Sequence, residues 1–490
     1  MTKQRATRLI LIIGIGVICT FFSWYKLTEA PAFWFDEGYF TQAAMNIARY
    51  GVWGIQTAPD QFSSLLSVSA GFPLLAPLAL IFKIFGISIV SARAGMAVGI
   101  MLFVAASFFL MKRLNGFYFA AGSSLLLSTF PVLYGNGRAV LGEVPALLMY
   151  VLFLLSLLSW IQSQKKIAAF AAGLLLGLTI TAKLSFLLVG VPATAITILI
   201  YRKKLRSLAA SVPLFIGGVV IPFSIWIATQ FNAADTVSGF FNVTFNHYQG
   251  DPAIQLITQN VIKFFTEFSP VALLILCAVW ATSLAIRGIG TRSVSLIETH
   301  AALFSLFMIG IFLLSPGWYR YFFPAQILAL LFFPSSLSCV VAWLHGHQSR
   351  VPVQIPTRAI TVCVVLLMSV AQAYQTGFNS YIANYYGSDR NQHMQRDFAA
   401  LPVGPTYFFY NVPELLLFVS APIAYYQFIG SSAVPHAIGL ESVAALQSGV
   451  ADFVIVNQQA YRGHENEFVQ YEPDRQIARV YLILKKRNTP

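Results

Sequence analysis

Long apolar runs separated by short polar segments dominate the chain. A transmembrane helix needs about 20 largely apolar residues, and eleven runs meet or approach that length. They cover residues 8–27, 92–111, 116–135, 144–161, 167–183, 185–201, 208–228, 270–286, 297–315, 321–343 and 359–375. We therefore predict a polytopic α-helical membrane protein with about eleven transmembrane helices.

A twelfth apolar run, residues 71–86, is short and contains Pro77. If it is an interfacial or re-entrant helix and the N-terminus is cytoplasmic, 15 of the 31 Lys and Arg fall on the cytoplasmic side, with Glu298 as the one acid near them. If it is a span, every later basic cluster moves outside. The positive-inside rule rejects that second topology, so we predict an interfacial or re-entrant helix here.

This topology predicts two domains. Residues 1–375 form the transmembrane domain, in which 28–91 are the first external loop with its interfacial helices. Residues 376–490 are less apolar and lie outside, in the periplasm or at the cell exterior. They contain strand-like runs at 452–457 and 477–486, a helical stretch at 441–448 and a candidate second helix at 413–428. We predict a small α/β domain there, on a multi-pass protein of the cell (inner) membrane.

Composition supports a membrane protein and excludes other classes. Hydrophobic residues make up 57% of the chain and charged residues 10%, whereas a soluble domain carries roughly 25% charged residues. The net charge of +13 follows from topology, and no basic stretch interleaved with aromatic residues indicates nucleic-acid binding. The four cysteines lie in apolar runs and are predicted to be small buried side chains without disulfides.

Unusual polar residues gather at the predicted external ends of the spans. They are Asp36, Glu37, Arg138, Glu143, Lys183, His247, Arg320 and Tyr321. Each has a simpler interpretation: a solvated helix N-terminus, a turn with an Arg–Glu pair, a snorkelling lysine, an aromatic belt or an ordinary loop histidine. Together, a carboxylate could act as general base on a hydroxyl, while cations stabilise a departing phosphate. The set favours group transfer from a lipid phosphate.

Several short motifs occur in an order that is similar to a known family. They are Phe35-Asp36-Glu37-Gly38-Tyr39, Gly71-Phe72-Pro73-Leu74, Ala92-Arg93, Gly137-Arg138 with Glu143, Thr181-Ala182-Lys183 and Arg320-Tyr321-Phe322-Phe323-Pro324. With this set the chain resembles the GT-C membrane glycosyltransferases, in the branch of protein O-mannosyltransferases and bacterial lipid A aminoarabinose transferases.

The resemblance implies a donor sugar on a polyprenyl phosphate and an inverting transfer on the outer face of the membrane. It implies that Asp36 is the base, with Glu37 beside it and Glu143 as a second carboxylate. The donor phosphate would be bound by Arg138, Lys183, Arg320 and Tyr321. His247 is a candidate acceptor or metal contact, and a divalent metal stays open because only some members of the family bind one. The sugar also stays open, as does the hydroxyl acceptor on lipopolysaccharide or lipid A, another envelope glycan or a protein.

Two other functions fit a polytopic membrane protein. A lipid-linked sugar flippase or transporter would be expected to show repeats, broken helices and polar residues near the middle of the bilayer. A glycan polymerase or ligase would be expected to have a large external loop between spans. The spans here are poor in internal charge and the chain ends in an external domain, so we favour the transferase.

Overall fold

The computed structural model describes residues 3–58, 60–66, 68–232, 235–236, 238–239, 252–289, 294–347, 356–418, 425–428, 444, 446–477 and 480–487. Its α-helices are α1 (Lys3–Trp24), α2 (Phe35–Tyr50), α3 (Phe72–Phe85), α4 (Ile89–Asn115), α5 (Phe117–Thr129), α6 (Pro131–Gly137), α7 (Glu143–Ser163), α8 (Lys166–Ala182), α9 (Leu184–Leu205), α10 (Val212–Gln230), α11 (Ala253–Thr266), α12 (Phe268–Ile289), α13 (Leu296–Leu313), α14 (Phe323–His347), α15 (Thr357–Phe378), α16 (Arg390–Ala399) and α17 (Gln458–Gly463).

Every predicted span coincides with a helix, and the run 116–135 falls on α5 and α6, which meet at a bend of 61°. Within the described residues, eight helical segments are long and apolar enough to cross a membrane, or nine if the bent pair is one span. Among the longer helices, α8 packs against α7 and α10, and α12 packs against α14. The multi-pass helical architecture is confirmed, while the number of crossings stays a prediction.

Helix α3 lies within residues 71–86, the run that is predicted to be an interfacial or re-entrant helix. Its 14 residues extend about 21 Å, which is short of the ~30 Å hydrocarbon core. Just before it, Ala70 forms an antiparallel bridge with Lys183, the extended residue between α8 and α9. A Cβ on Gly71 would lie 2.0 Å from the carbonyl oxygen of Thr181. Only glycine permits the backbone at position 71 to approach Thr181 so closely. This contact fixes the position of the break between α8 and α9.

The C-terminal region contains a five-stranded sheet. Its strands are β3 (Tyr407–Tyr410), β4 (Tyr425–Phe428), β5 (Phe453–Asn457), β6 (Tyr471–Ile477) and β7 (Tyr481–Lys486), in the order β4-β3-β5-β7-β6; β1 (Ile55–Ala58) and β2 (Gln61–Ser63) form a separate hairpin. Strand β3 is parallel to β4 and β5, and the other two pairings are antiparallel. The prediction of a small C-terminal region that contains both helices and strands is confirmed.

One local prediction in this region is wrong. Within 413–428, the described residues form a short 3-10 helix, Pro413–Phe418, and strand β4 rather than an α-helix, because a short apolar run does not distinguish helix from strand. The strand-like run predicted at 477–486 contains the last residue of β6 and all of β7. The predicted helix 441–448 lies largely outside the described residues, of which 444, 446 and 447 are helical.

Helices α2 and α3 share one hydrophobic core with the C-terminal sheet. Phe40 of α2 and Leu75 of α3 belong to the same buried cluster as Phe409 of β3 and Ile483 of β7. A Cβ on Gly38 would lie 2.3 Å from the backbone nitrogen of Glu414. The division at residue 376 stays a prediction, and the packing continues across it.

Candidate active site

Asp36 and Arg320 form the most accessible ion pair of the site. Asp36 lies in the first turn of α2, and Arg320 lies in the 3-10 turn Tyr319–Tyr321 that precedes α14. An Nη of Arg320 donates to Asp36 Oδ2, and the two side chains are 15% and 25% exposed. The guanidinium also lies over the rings of Trp318 and Tyr321, at 4.7 and 5.4 Å. A carboxylate that is held but still reaches solvent can accept a proton from a bound hydroxyl.

Glu143 and Lys183 form a second, more buried pair. Lys183 Nζ lies 3.0 Å from Glu143 Oε1, and both side chains are about 5% exposed. The same ammonium donates to the Leu141 carbonyl and lies 5.0 Å from the Phe40 ring centroid. Lys183 forms a backbone bridge with Ala70, and Glu143 is the first residue of α7. The backbone of both charged residues is therefore held in place by the fold.

The two pairs share one electrostatic environment. Burial lowers the pKa of Arg320, but Asp36, Tyr321 and Glu143 together raise it above its ordinary value. Lys183 in turn interacts with Arg320 and Asp36 as well as with Glu143. The sequence therefore identified four residues that the fold brings together, and their two positive and two negative charges balance.

Glu37 is separated from this group. It is fully buried, and the Nε and Nη2 atoms of Arg93 donate to its two oxygens at 2.9 Å each. The Nη1 atom of Arg93 donates to the carbonyls of Leu27 and Pro31 at 3.0 and 2.9 Å. Arg93 thus connects α4 to the strap, residues 27–31, and to the start of α2. It was not among the predicted site residues, although an arginine within a membrane helix is itself a signal.

Arg138 also lies apart from the four charges. It is fully buried, and its guanidinium donates to the carbonyls of Phe22 and Ala30. The Tyr134 and Tyr386 rings lie about 6 Å away. Burial lowers the pKa of Arg138 to about 10. Its described contacts attach α1 and the strap to the end of α6.

The remaining predicted residues have different outcomes. Tyr321 is half-buried, and its ring stacks on Trp318 at 6.1 Å. His247 lies outside the described residues. In the part of the chain that the structure describes, no three His, Cys, Asp or Glu side chains converge in a manner suited to a metal ion.

A cavity of about 500 Å³ adjoins Arg320. Its walls come from the strap, α6, the α11–α12 junction, the loop before α14 and the segment after α15. The lining residues are Pro31, Ala32, Trp34, Pro131, Val132, Gly135, Asn136, Ala139, Leu141, Lys263, Ser269, Gly317, Trp318, Tyr319, Arg320, Ser380, Tyr381 and Ile382. Most are apolar or aromatic, and the two cations are Arg320 and Lys263. Lys263 was not predicted, because the loop 229–269 carried no recognisable motif.

Comparison with known proteins shows what the chain is similar to. Residues 72–227 match the family model for dolichyl-phosphate-mannose-protein mannosyltransferases. A comparison with curated proteins finds no match. Among solved structures, ArnT from Cupriavidus metallidurans in the apo state is 13% identical with a TM-score of 0.64, and 98% of each chain is covered.

Two further structures carry lipid phosphates. ArnT from the same organism bound to undecaprenyl phosphate has a TM-score of 0.60 at 13% identity, with 97% of each chain covered. The archaeal oligosaccharyltransferase AglB from Archaeoglobus fulgidus, in complex with an inhibitory peptide and a dolichol-phosphate, has a TM-score of 0.53 at 13% identity. That match covers 93% of this chain and 70% of AglB. At such low identity these likenesses establish the fold.

Proposed function

Since the chain has the fold of the GT-C membrane glycosyltransferases, as its motifs predicted, we propose that it transfers a sugar from a polyprenyl-phosphate donor to a hydroxyl acceptor. The reaction takes place on the outer face of the membrane. The observation that carries the proposal is the pairing of Asp36 with Arg320 beside the cavity, with Lys183 and Glu143 in the same electrostatic environment. ArnT with undecaprenyl phosphate and AglB with dolichol-phosphate support the donor class.

The proposed step is a single inverting displacement. Asp36 removes the proton of the acceptor hydroxyl as its oxygen attacks the anomeric carbon. The bond from that carbon to the phosphate oxygen breaks, and its electron pair stays on the phosphate. Arg320 and Lys183 stabilise the charge that grows on the leaving phosphate, and the proton remains on Asp36 until product release.

Arg320 connects donor binding with activation of the base. Its guanidinium contacts Asp36, and a phosphate is a strong competitor for an arginine. When donor phosphate binds Arg320, the Asp36 carboxylate loses part of its pairing and accepts a proton more readily. Tyr321 assists at the same turn, while Glu143 keeps Lys183 in place.

The other predicted residues have supporting roles in this proposal. Glu37 and Arg138 hold the strap and the start of α2 in position. His247 stays a candidate acceptor contact. No step requires a metal. The acceptor is a hydroxyl of a lipid, an envelope glycan or a protein. We propose that the protein lies in the cell (inner) membrane with its C-terminal domain outside.

Replacing Asp36 tests the reaction directly. Asp36→Asn keeps the shape and a hydrogen-bond acceptor but removes the base, so turnover should fall about 100-fold or more, while binding of undecaprenyl phosphate persists. The measurement is single-turnover sugar transfer by purified protein in lipid nanodiscs. Asp389→Asn, at a carboxylate that is 69% exposed, is the matched control. Wild-type turnover in Asp36→Asn would show that another group is the base.

A further inference from the structure

The site cations that are closest to Asp36 are already neutralised. Arg320 pairs with Asp36 and Lys183 pairs with Glu143, so the four groups carry no net charge. A phosphate that approaches them gains attraction from the two cations and loses much of it to the two carboxylates. An additional positive charge would make the site attractive to an anion.

Lys263 supplies such a charge. It lines the cavity together with Arg320, and its Nζ donates to the Gly317 carbonyl at 3.2 Å. Among the residues that the structure describes, no carboxylate lies within ion-pair distance of Lys263. Arg138 also lacks a carboxylate there, but it is fully buried and does not line the cavity.

Helix α11 has an exposed apolar stripe on the side away from Lys263. Ile254, Val261 and Phe265 are 79%, 40% and 73% exposed, and their spacing of seven and four residues puts them on one face. Lys263 follows Ile254 by nine residues, which is about 180° around the helix. An exposed apolar stripe on a helix that leads directly into the long apolar helix α12 is typical of a helix in the membrane interface, where the stripe would contact acyl chains.

The opposite face of α11 is attached to the site. The side-chain amide of Asn260 donates to the carbonyls of Phe312, Leu313 and Ser315, at 3.1, 3.2 and 2.7 Å. These carbonyls belong to the end of α13 and the loop that leads to Arg320. Helix α11 therefore has an exposed apolar stripe on one face and is hydrogen-bonded on another to the loop that leads to Arg320, while Lys263 lies in the cavity wall.

We propose that Lys263 binds the phosphate of the lipid-borne donor and acts with Arg320 as the second cation at the cavity. The inference rests on the proposed function, because it assigns a residue to the donor named there. It gives this role to a side chain outside the motifs that the resemblance relied on. Lys183 stays paired with Glu143. Its positive charge then acts mainly on the departing phosphate.

The test is equilibrium binding of undecaprenyl phosphate to the full-length protein in nanodiscs. Lys263→Gln keeps a donor for the Gly317 carbonyl and removes the charge, so affinity should fall about tenfold, the value of one charge-assisted hydrogen bond. Lys263→Arg should bind like wild type. Lys83→Gln, at an exposed lysine of α3, is the matched control and should also bind like wild type.

Salt and a second probe separate the remaining outcomes. Added salt should weaken wild-type binding more than Lys263→Gln binding, since the variant has lost a screened attraction. If Lys263→Gln binds like wild type and only Lys263→Met weakens, the lysine merely holds the loop and the inference is wrong. If the variant changes binding of inorganic phosphate and not of the lipid, the inference is also wrong. If wild type binds no undecaprenyl phosphate, the proposed donor class fails first.

Discussion

Asp36 and Glu37 are neighbours in the chain with opposite environments. Successive residues of a helix point about 100° apart, so in the first turn of α2 one carboxylate faces the cavity side and the other faces α4. Asp36 is 25% exposed and pairs with Arg320, whereas Glu37 is fully buried against Arg93. We therefore assign the proposed chemistry to Asp36 and a positioning role to Glu37.

Removing Arg93 alone should destabilise the protein strongly. Arg93→Met leaves Glu37 as a buried charge without its partner, which costs about 3–5 kcal/mol in comparable pairs. The double variant Arg93→Met with Glu37→Gln removes both charges and should recover much of that loss. The measurement is thermal unfolding of the three proteins in one detergent. A single variant as stable as wild type would mean that the pair contributes nothing to the fold.

Residue types could be predicted from the sequence, and their partners could not. The motifs identified Asp36, Glu143, Lys183 and Arg320, which the fold brings together. The pairing of Glu37 with Arg93 joins residues 56 positions apart, and nothing local indicates it. Lys263 carried no signal at all, because its role depends on the absence of a carboxylate nearby among the described residues.

At the scale of elements, the length of each apolar run predicted the helices correctly. The contacts between elements could not be predicted from the sequence. Each of the eleven runs became helical because satisfying backbone hydrogen bonds in lipid requires it. The bridge from Ala70 to Lys183 depends on tertiary packing, so the sequence showed only an abrupt junction between two runs. The segment 413–428 was misassigned because its strand exists only by pairing with β3.

At Gly38, the contact between α2 and residues 413–414 leaves no room for a side chain. A Cβ there would meet backbone atoms of Pro413 and Glu414 at 2.3–2.5 Å, so α2 must move away from the 3-10 helix Pro413–Phe418. Asp36 lies two residues away, and a displacement of about 1 Å can reduce turnover about 100-fold. We expect Gly38→Ala to lose activity on that scale in the transfer assay.

Gly99→Ala is the matched control for that variant. A Cβ on Gly99 would meet nothing within 4 Å, and alanine is a better helix former than glycine. Gly99→Ala should keep wild-type turnover. Equal activity of both variants would mean that the contact between α2 and residues 413–418 has no influence on the base.

At the scale of the whole molecule, the joint between membrane helices and sheet contains an ionisable group. Burial raises the pKa of Glu414 above its ordinary value of 4.5, although Tyr481 and Arg390 oppose the shift. Tyr481 donates to Glu414 Oε1 at 3.3 Å, and Oε2 has no partner among the described residues. The folded protein therefore binds this proton more tightly than the unfolded chain does.

The sign of the resulting pH dependence follows by linkage. The stabilisation is complete below the unfolded pKa and is lost as pH rises through the raised folded pKa. Wild type should lose thermal stability as pH rises above the ordinary carboxyl pKa of 4.5, and Glu414→Gln should flatten that profile and be the more stable protein once Glu414 is ionised. Parallel melting profiles for the two proteins would show that Glu414 does not titrate in this joint.

The core that α2 and α3 share with the sheet determines which chain segments can be exchanged between related proteins in a chimaera. Phe40 and Leu75 from the first loop are buried together with Phe409 and Ile483 from the C-terminal region. A chimaera that received only a foreign segment 376–490 would pack a foreign sheet against the native α2 and α3. Gly38 would then face a backbone to which it is not fitted. Transplanting 28–91 together with 376–490 keeps both sides of the contact. Residues 28–91 and 376–490 therefore form one unit of exchange, although they lie far apart in the sequence.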